Sequence, residues 1–140
     1  MDLRFVLLPL FVQVLLTFVL LLWTARERFA AAGRGEVDVE AFRANGGGMP
    51  QRATWLARAY DNQFQLPVLF YVLTILAIFL HKTDILFQVL SWVFVLTRVM
   101  HALVYGTYNN VRLRFVWFLA GGIVLMLMWI VFIARVLVAL

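Results

Sequence analysis

The sequence predicts an all-α protein, a four-helix bundle that crosses a membrane. Three observations carry this. Hydrophobic residues make up 65% of the 140 and charged residues only 14%, with a mean hydropathy of +0.95, well beyond what a soluble domain of this size covers with polar surface. Four apolar runs are each long enough for a hydrocarbon core, which takes about 20 helical residues. The charges are segregated, crowding between Arg26 and Asp61 and again between Arg98 and Arg114. A net charge of +5 in that pattern reads as membrane topology and argues against nucleic acid as a partner. The absence of cysteine excludes disulfides, thiolate metal sites and a cysteine nucleophile.

The first span is expected over residues 3–25. Its apolar run exceeds that of a secretory signal, and the small residues "AAAG" follow only after the charged "RER", so it reads as a retained helix. Residues 26–52 read as a cytosolic loop with a glycine run at Gly46 to Gly48 and room for a short interfacial helix. Further spans are expected over 53–80, 84–108 and 115–140. The second and third are joined by only "HKTD" and should be antiparallel neighbours. Pro9 and Pro67 fit inside such helices, with a kink, where neighbouring groups satisfy the freed carbonyls. A single domain over 1–140 accounts for the chain, with no repeat or low-complexity tract.

Orientation follows from the basic residues. One side of the four spans holds Arg26, Arg28, Arg34, Arg43, Arg52, Arg112 and Arg114, the other Arg4, Lys82 and Arg135. The positive-inside rule then places the long loop in the cytosol and both termini outside it.

Polar residues recur inside the spans. Arg58, Asn62 and Gln65 have the spacing of one helical face in the second span. Gln88, Ser91, Arg98, His101, Tyr105, Tyr108 and Arg112 are compatible with one face in the third. Hydrogen bonding between helices is the ordinary role of such groups, worth about 0.6 kcal/mol each, and Gln13, Gln88 and Ser91 are read that way. Arg98 is different. It lies about 15 Å below the expected helix end at 1.5 Å per residue, too deep to snorkel with ease, so it calls for a polar cavity or a counter-ion. A lone His101 is as much a packing residue as a ligand, and its interest comes from sharing the Arg98 face with Tyr105. Trp23, Trp55 and Trp117 read as interface aromatics. No cluster has metal-ligand spacing, so no metal is expected.

These residues resemble the membrane-associated proteins in eicosanoid and glutathione metabolism, the MAPEG family, in its bacterial-type form. That family's second helix carries Arg-x-x-x-Asn-x-x-Glu followed by proline, similar to Arg58, Asn62, Gln65 and Pro67 here. Its third helix carries an arginine with a tyrosine seven residues later and further arginines towards the next loop, similar to Arg98, Tyr105, Arg112 and Arg114. Two departures stand out: glutamine replaces the glutamate, and the proline comes one residue early.

The resemblance implies a homotrimer that holds glutathione as co-substrate between subunits near the cytosolic face, with a lipophilic electrophile as small-molecule partner arriving from the bilayer. Arg58, Asn62, Gln65, Arg98, His101 and Tyr105 are then expected to bind the tripeptide. Arg112 or Arg114 would favour its thiolate, the two being left open. The expected activity is a membrane glutathione transferase or peroxidase. The alternative is a non-catalytic relative that binds an anionic lipid or metabolite, or serves as an assembly partner. A four-helix exporter fits poorly, because the only acid near the core is Asp61.

Overall fold

A computed structural model describes residues 2–139. Its regular structure is helical throughout: α1 (Leu3–Gly33), α2 (Val39–Asn45), α3 (Gln51–Asp61), α4 (Leu66–Phe79), α5 (Ile85–Gly106) and α6 (Val111–Ala139), with a single 3-10 turn at Asn62–Phe64. Four segments are long and apolar enough to cross a membrane: α1, the α3–α4 pair, α5 and α6. Leu140, where the fourth span was expected to end, lies outside the described residues.

Helix α1 continues past Ala25 to Gly33, into the region expected as loop. The stretch from Arg26 to Ala32 contains strong helix formers and no breaker, so nothing stops the helix before glycine. Its 31 residues span about 46 Å against an apolar core of about 30 Å, and the last turns therefore project from the membrane. The rest of the loop is folded back on itself. Asp38 caps α2 through Ala41 N–H at 3.2 Å, and its own N–H reaches the Gly48 carbonyl at 2.9 Å. Gly48 has φ +78°, and a Cβ there would lie 2.5 Å from the Asp38 carbonyl oxygen. Only glycine closes this turn.

The second span is broken in the middle. Gln65 takes φ −102° and ψ −106°, and Pro67, without an N–H, opens α4. The fourth span starts at Val111 rather than Phe115, because the Asn110 side chain accepts the Leu113 N–H at 3.2 Å and supplies a cap four residues earlier than the apolar pattern indicates.

In the bundle α5 packs on α6, α1 and α3, while α4 packs on α1 and α6. The "HKTD" link thus does not set α4 backbone to backbone against α5. They meet through side chains, with Phe70 stacked on Phe94 at 4.9 Å, and the close approach to the second span is made by α3. A large apolar cluster around Phe70, Leu73, Phe94 and Leu125 fills the interior. A smaller one of Leu20, Ala59, Ala102 and Tyr105 lies nearer the loop. Residues such as Leu22, Phe79, Ile85 and Val138 remain exposed, the surface a lipid-facing helix presents. With lipid outside, close packing rather than expulsion from water holds the helices together.

Candidate functional site

The polar stripe expected in the second span does not face the interior of the protomer. Arg58 and Gln65 are exposed, Asn62 is half-buried, and Gln63 turns inward instead. Gln63 is buried, accepts from Gln13 Nε2 at 2.8 Å and donates to the Ala59 carbonyl at 2.8 Å. Sequence reasoning missed it, although its spacing continues the buried face of Leu56 and Ala59. Gln13 does bond between helices as expected, as does Gln88, which donates to the Phe5 carbonyl at 2.6 Å. The Ser91 hydroxyl is buried without a partner.

The stripe on α5 is continuous through Ser91, Arg98, His101 and Tyr105, all buried. It stops there. The helix ends at Gly106, so Tyr108 and Arg112 do not continue its face. Gly106 marks the end for a packing reason, since a Cβ would lie 2.9 Å from the Trp23 ring and 3.2 Å from Leu56.

Arg98 is 0% exposed and eight residues before the end of α5, about 12 Å down the helix. Its Nη2 donates to the Asn62 carbonyl at 3.1 Å, which also accepts the Gln65 N–H at 3.3 Å. Nε and Nη1 have no partner among the described residues. Gly121 lets α6 close over this side chain: a Cβ there would lie 2.7 Å from Thr97 Oγ1 and 3.8 Å from Arg98 Cδ. A buried guanidinium with no carboxylate beside it leaves the protein short of negative charge at this point.

Between the second span, α5 and α6 lies a cleft of about 210 Å³. Asn62, His101, Tyr105 and Arg114 line it, with Phe115 and Phe118 as apolar wall. Arg114 is held in place twice, by a 2.8 Å bond from Nη1 to Asn109 Oδ1 and by its position 4.4 Å above the Tyr105 ring. His101 packs edge-on to Tyr105 at 5.4 Å, and its Nδ1 has no partner. The cleft therefore offers an oriented guanidinium, a phenol, an imidazole and an amide, a set suited to an anion with several polar groups.

Four expected residues do not line the cleft. Arg98 is buried and touches it only through its bond to the Asn62 carbonyl. Arg58 lies on the other flank of α3, sharing a second cavity with Arg28 and Asp61. It forms no ion pair with Asp61 among the described residues. Gln65 is exposed at the break and Arg112 on the first turn of α6. Of the two arginines left open by the sequence, only Arg114 faces the cleft. Among the described residues, no group of three His, Asp or Glu could hold a metal ion.

No curated protein and no solved structure matches the chain. A profile described as the MAPEG family matches residues 6–134, a stretch that takes in most or all of each helix and every residue of the cleft. This multi-pass membrane protein belongs to the MAPEG family.

Proposed function

We propose that the protein is a glutathione-dependent membrane transferase or peroxidase acting on lipophilic electrophiles. The observation that supports it best is Arg114, held over Tyr105 in a cleft whose Asn62 is bonded through its carbonyl by the buried Arg98. Glutathione carries two carboxylates and supplies a thiol that attacks as the thiolate. Arg114 sits where a cation lowers the cost of that thiolate. Asn62, His101 and Tyr105 bind and orient the tripeptide. Arg98 adds positive potential from behind and fixes the Asn62 backbone. The apolar wall of Phe115 and Phe118 admits a hydrophobic co-substrate from the bilayer and keeps water from the sulfur.

At about 210 Å³ the cleft of one protomer holds only part of a tripeptide. Arg58 and Gln65, exposed elsewhere on the protomer, contribute from a neighbouring subunit in a homotrimer, while Arg112 stays outside the site. The long loop and the cleft then face the cytosol, where glutathione is available, and the termini lie on the other side.

One observation favours a second reading. The cleft contains no carboxylate to meet the glutathione ammonium, a feature of a non-catalytic relative that takes a simpler anionic metabolite or lipid. Calorimetric titration of the detergent-purified assembly with glutathione separates the two. Saturable binding supports the transferase or peroxidase, and no heat through the millimolar range supports the relative.

A further inference from the structure

Helix α5 ends at Gly106 and α6 begins at Val111, so residues 107–110 alone reverse the chain beside the cleft. Two adjacent asparagines in this turn have different tasks. Asn110 caps α6, its Oδ1 accepting the Leu113 N–H at 3.2 Å. Asn109 adopts the left-handed backbone, with φ 45°, a conformation in which glycine, asparagine and aspartate are the favoured residues. Its N–H donates to the Val104 carbonyl at 2.7 Å and closes the end of α5. With the backbone fixed there, the half-buried side chain reaches along α6 and accepts from Arg114 Nη1 at 2.8 Å.

The amide and the Tyr105 ring constrain the guanidinium in different ways. The ring, 4.4 Å from the guanidinium carbon, sets its height, and the amide sets the direction in which the remaining N–H groups point. What distinguishes this holder is its lack of charge. Among the described residues Arg4, Arg34, Arg52 and Arg135 each lie against a carboxylate, at 2.9, 2.9, 3.7 and 2.7 Å. Arg114 is directed by a neutral oxygen, and no Asp or Glu lines the cleft. It is therefore oriented without being neutralised. The backbone does not explain the choice of amide, because aspartate tolerates the same conformation and would make the stronger bond to a guanidinium.

We propose that Asn109 is a positioning residue for anion binding, whose neutrality keeps the charge of Arg114 available to the ligand. The proposal deepens the reading of the cleft as a glutathione site and rests on it. Asn109 does not line the cleft and acts on the sulfur only through Arg114.

The test separates fold from function with three variants of the full-length protein in detergent: Asn109→Asp, Asn109→Gly and Asn110→Asp. Asn109→Asp keeps both the acceptor and the backbone preference, so its unfolding temperature should equal or exceed that of wild type. Asn109→Gly keeps the backbone preference alone and should unfold earlier. Glutathione affinity, read by calorimetry, should rank the two the other way. Asn109→Gly should weaken it about two- to tenfold, the effect of a guanidinium that has lost one bond. Asn109→Asp should weaken it by more than about tenfold, because a carboxylate now competes with the bound anion. Thiolate formation, followed by absorbance, should move to higher pH in both, and further in Asn109→Asp. Asn110→Asp places the same charge one residue on, at a cap that suits it, and should change affinity less than about threefold at an exposed site.

If Asn109 were only structural, affinity would follow unfolding temperature, with Asn109→Asp nearer to wild type than Asn109→Gly. That order overturns the proposal. So does an effect of Asn110→Asp as large as that of Asn109→Asp, which would mean a general response to charge at the loop. If Asn109→Asp does not fold, a thiolate curve for Asn109→Gly identical to that of wild type overturns the proposal on its own. Wild-type protein that binds glutathione while every variant matches it overturns the proposal and leaves the glutathione site standing. Wild type that takes up no glutathione overturns that site first, and the proposal with it.

Discussion

Replacing Arg114 by methionine removes a charge and keeps most of the stem, and the structure sets the size of the result. Within the protein Arg114 makes one bond, to Asn109 at 2.8 Å, and one ring contact, to Tyr105 at 4.4 Å. At a partly exposed site the ring contact contributes about 0.5–1 kcal/mol. A net hydrogen bond adds about 0.5–1.5 kcal/mol. Arg114→Met should therefore fold, with a modestly lower unfolding temperature. A charge-assisted bond to a bound anion contributes more, about 1.5–3 kcal/mol, so glutathione affinity should fall roughly ten- to 150-fold.

The control is Arg112→Met, two residues away, exposed and without a side-chain bond. It should change affinity less than about twofold, as surface changes away from a site generally do. Calorimetry reads the affinity, and the near-ultraviolet absorbance of the bound thiolate, followed against pH, reads the sulfur. Arg114→Met should shift thiolate formation to higher pH, because a cation that favours the charged form has been removed. The reverse outcome, thiolate lost with Arg112→Met and kept with Arg114→Met, would refute the assignment and show that the sulfur lies between subunits, outside the cleft of a single protomer.

Gln63→Leu should destabilise the bundle by about 1–3 kcal/mol, because it strands the buried Gln13 amide. Adding Gln13→Leu should recover most of that loss, and chemical unfolding in mixed micelles checks both. Asp84 pairs with Arg135 at 2.7 Å, and this hydrogen bond holds the Asp84 carboxyl below its usual range. Its contribution is present above the ordinary carboxylate pKa of about 3.9 and disappears as pH falls through the depressed value. As both side chains are partly exposed, Asp84→Asn should cost only about 0.2–1 kcal/mol at neutral pH and nothing in strong acid, seen as converging unfolding temperatures. A reporter placed in the Gly46 to Gly48 run should read as cytosolic and one fused after Leu140 as extracytosolic, and the opposite pattern would remove the cleft from cytosolic glutathione.

The four spans were legible because apolar length is a composition property, and lipid enforces it residue by residue. Boundaries were less so, since a helix that leaves the membrane keeps its hydrogen bonds in water. The stretch from Arg26 to Ala32 therefore reads as loop by charge and folds as helix by propensity. The α5 face was legible for the complementary reason. Arg98, His101 and Tyr105 sit on an unbroken helix, where a spacing of three and four fixes a direction.

The second span resisted the same reasoning because that rule presupposes a continuous helix. A proline signals a break but does not say where the turn before it tightens. Here the 3-10 turn begins at Asn62, but Arg58 before it and Gln65 after it are both exposed, while Gln63 keeps step with the buried Leu56 and Ala59. At the break the Asn62 carbonyl accepts twice, from the Gln65 N–H at 3.3 Å and from Arg98 Nη2 at 3.1 Å. Asn62 faces the cleft, and Arg58 lines the separate cavity beside Arg28 and Asp61. If the break were removed by Pro67→Ala, the Asn62 carbonyl should take the Leu66 N–H that a continuous helix offers it, and Arg98 should lose its bond there. The cleft should change with it, because Asn62 is one of its walls.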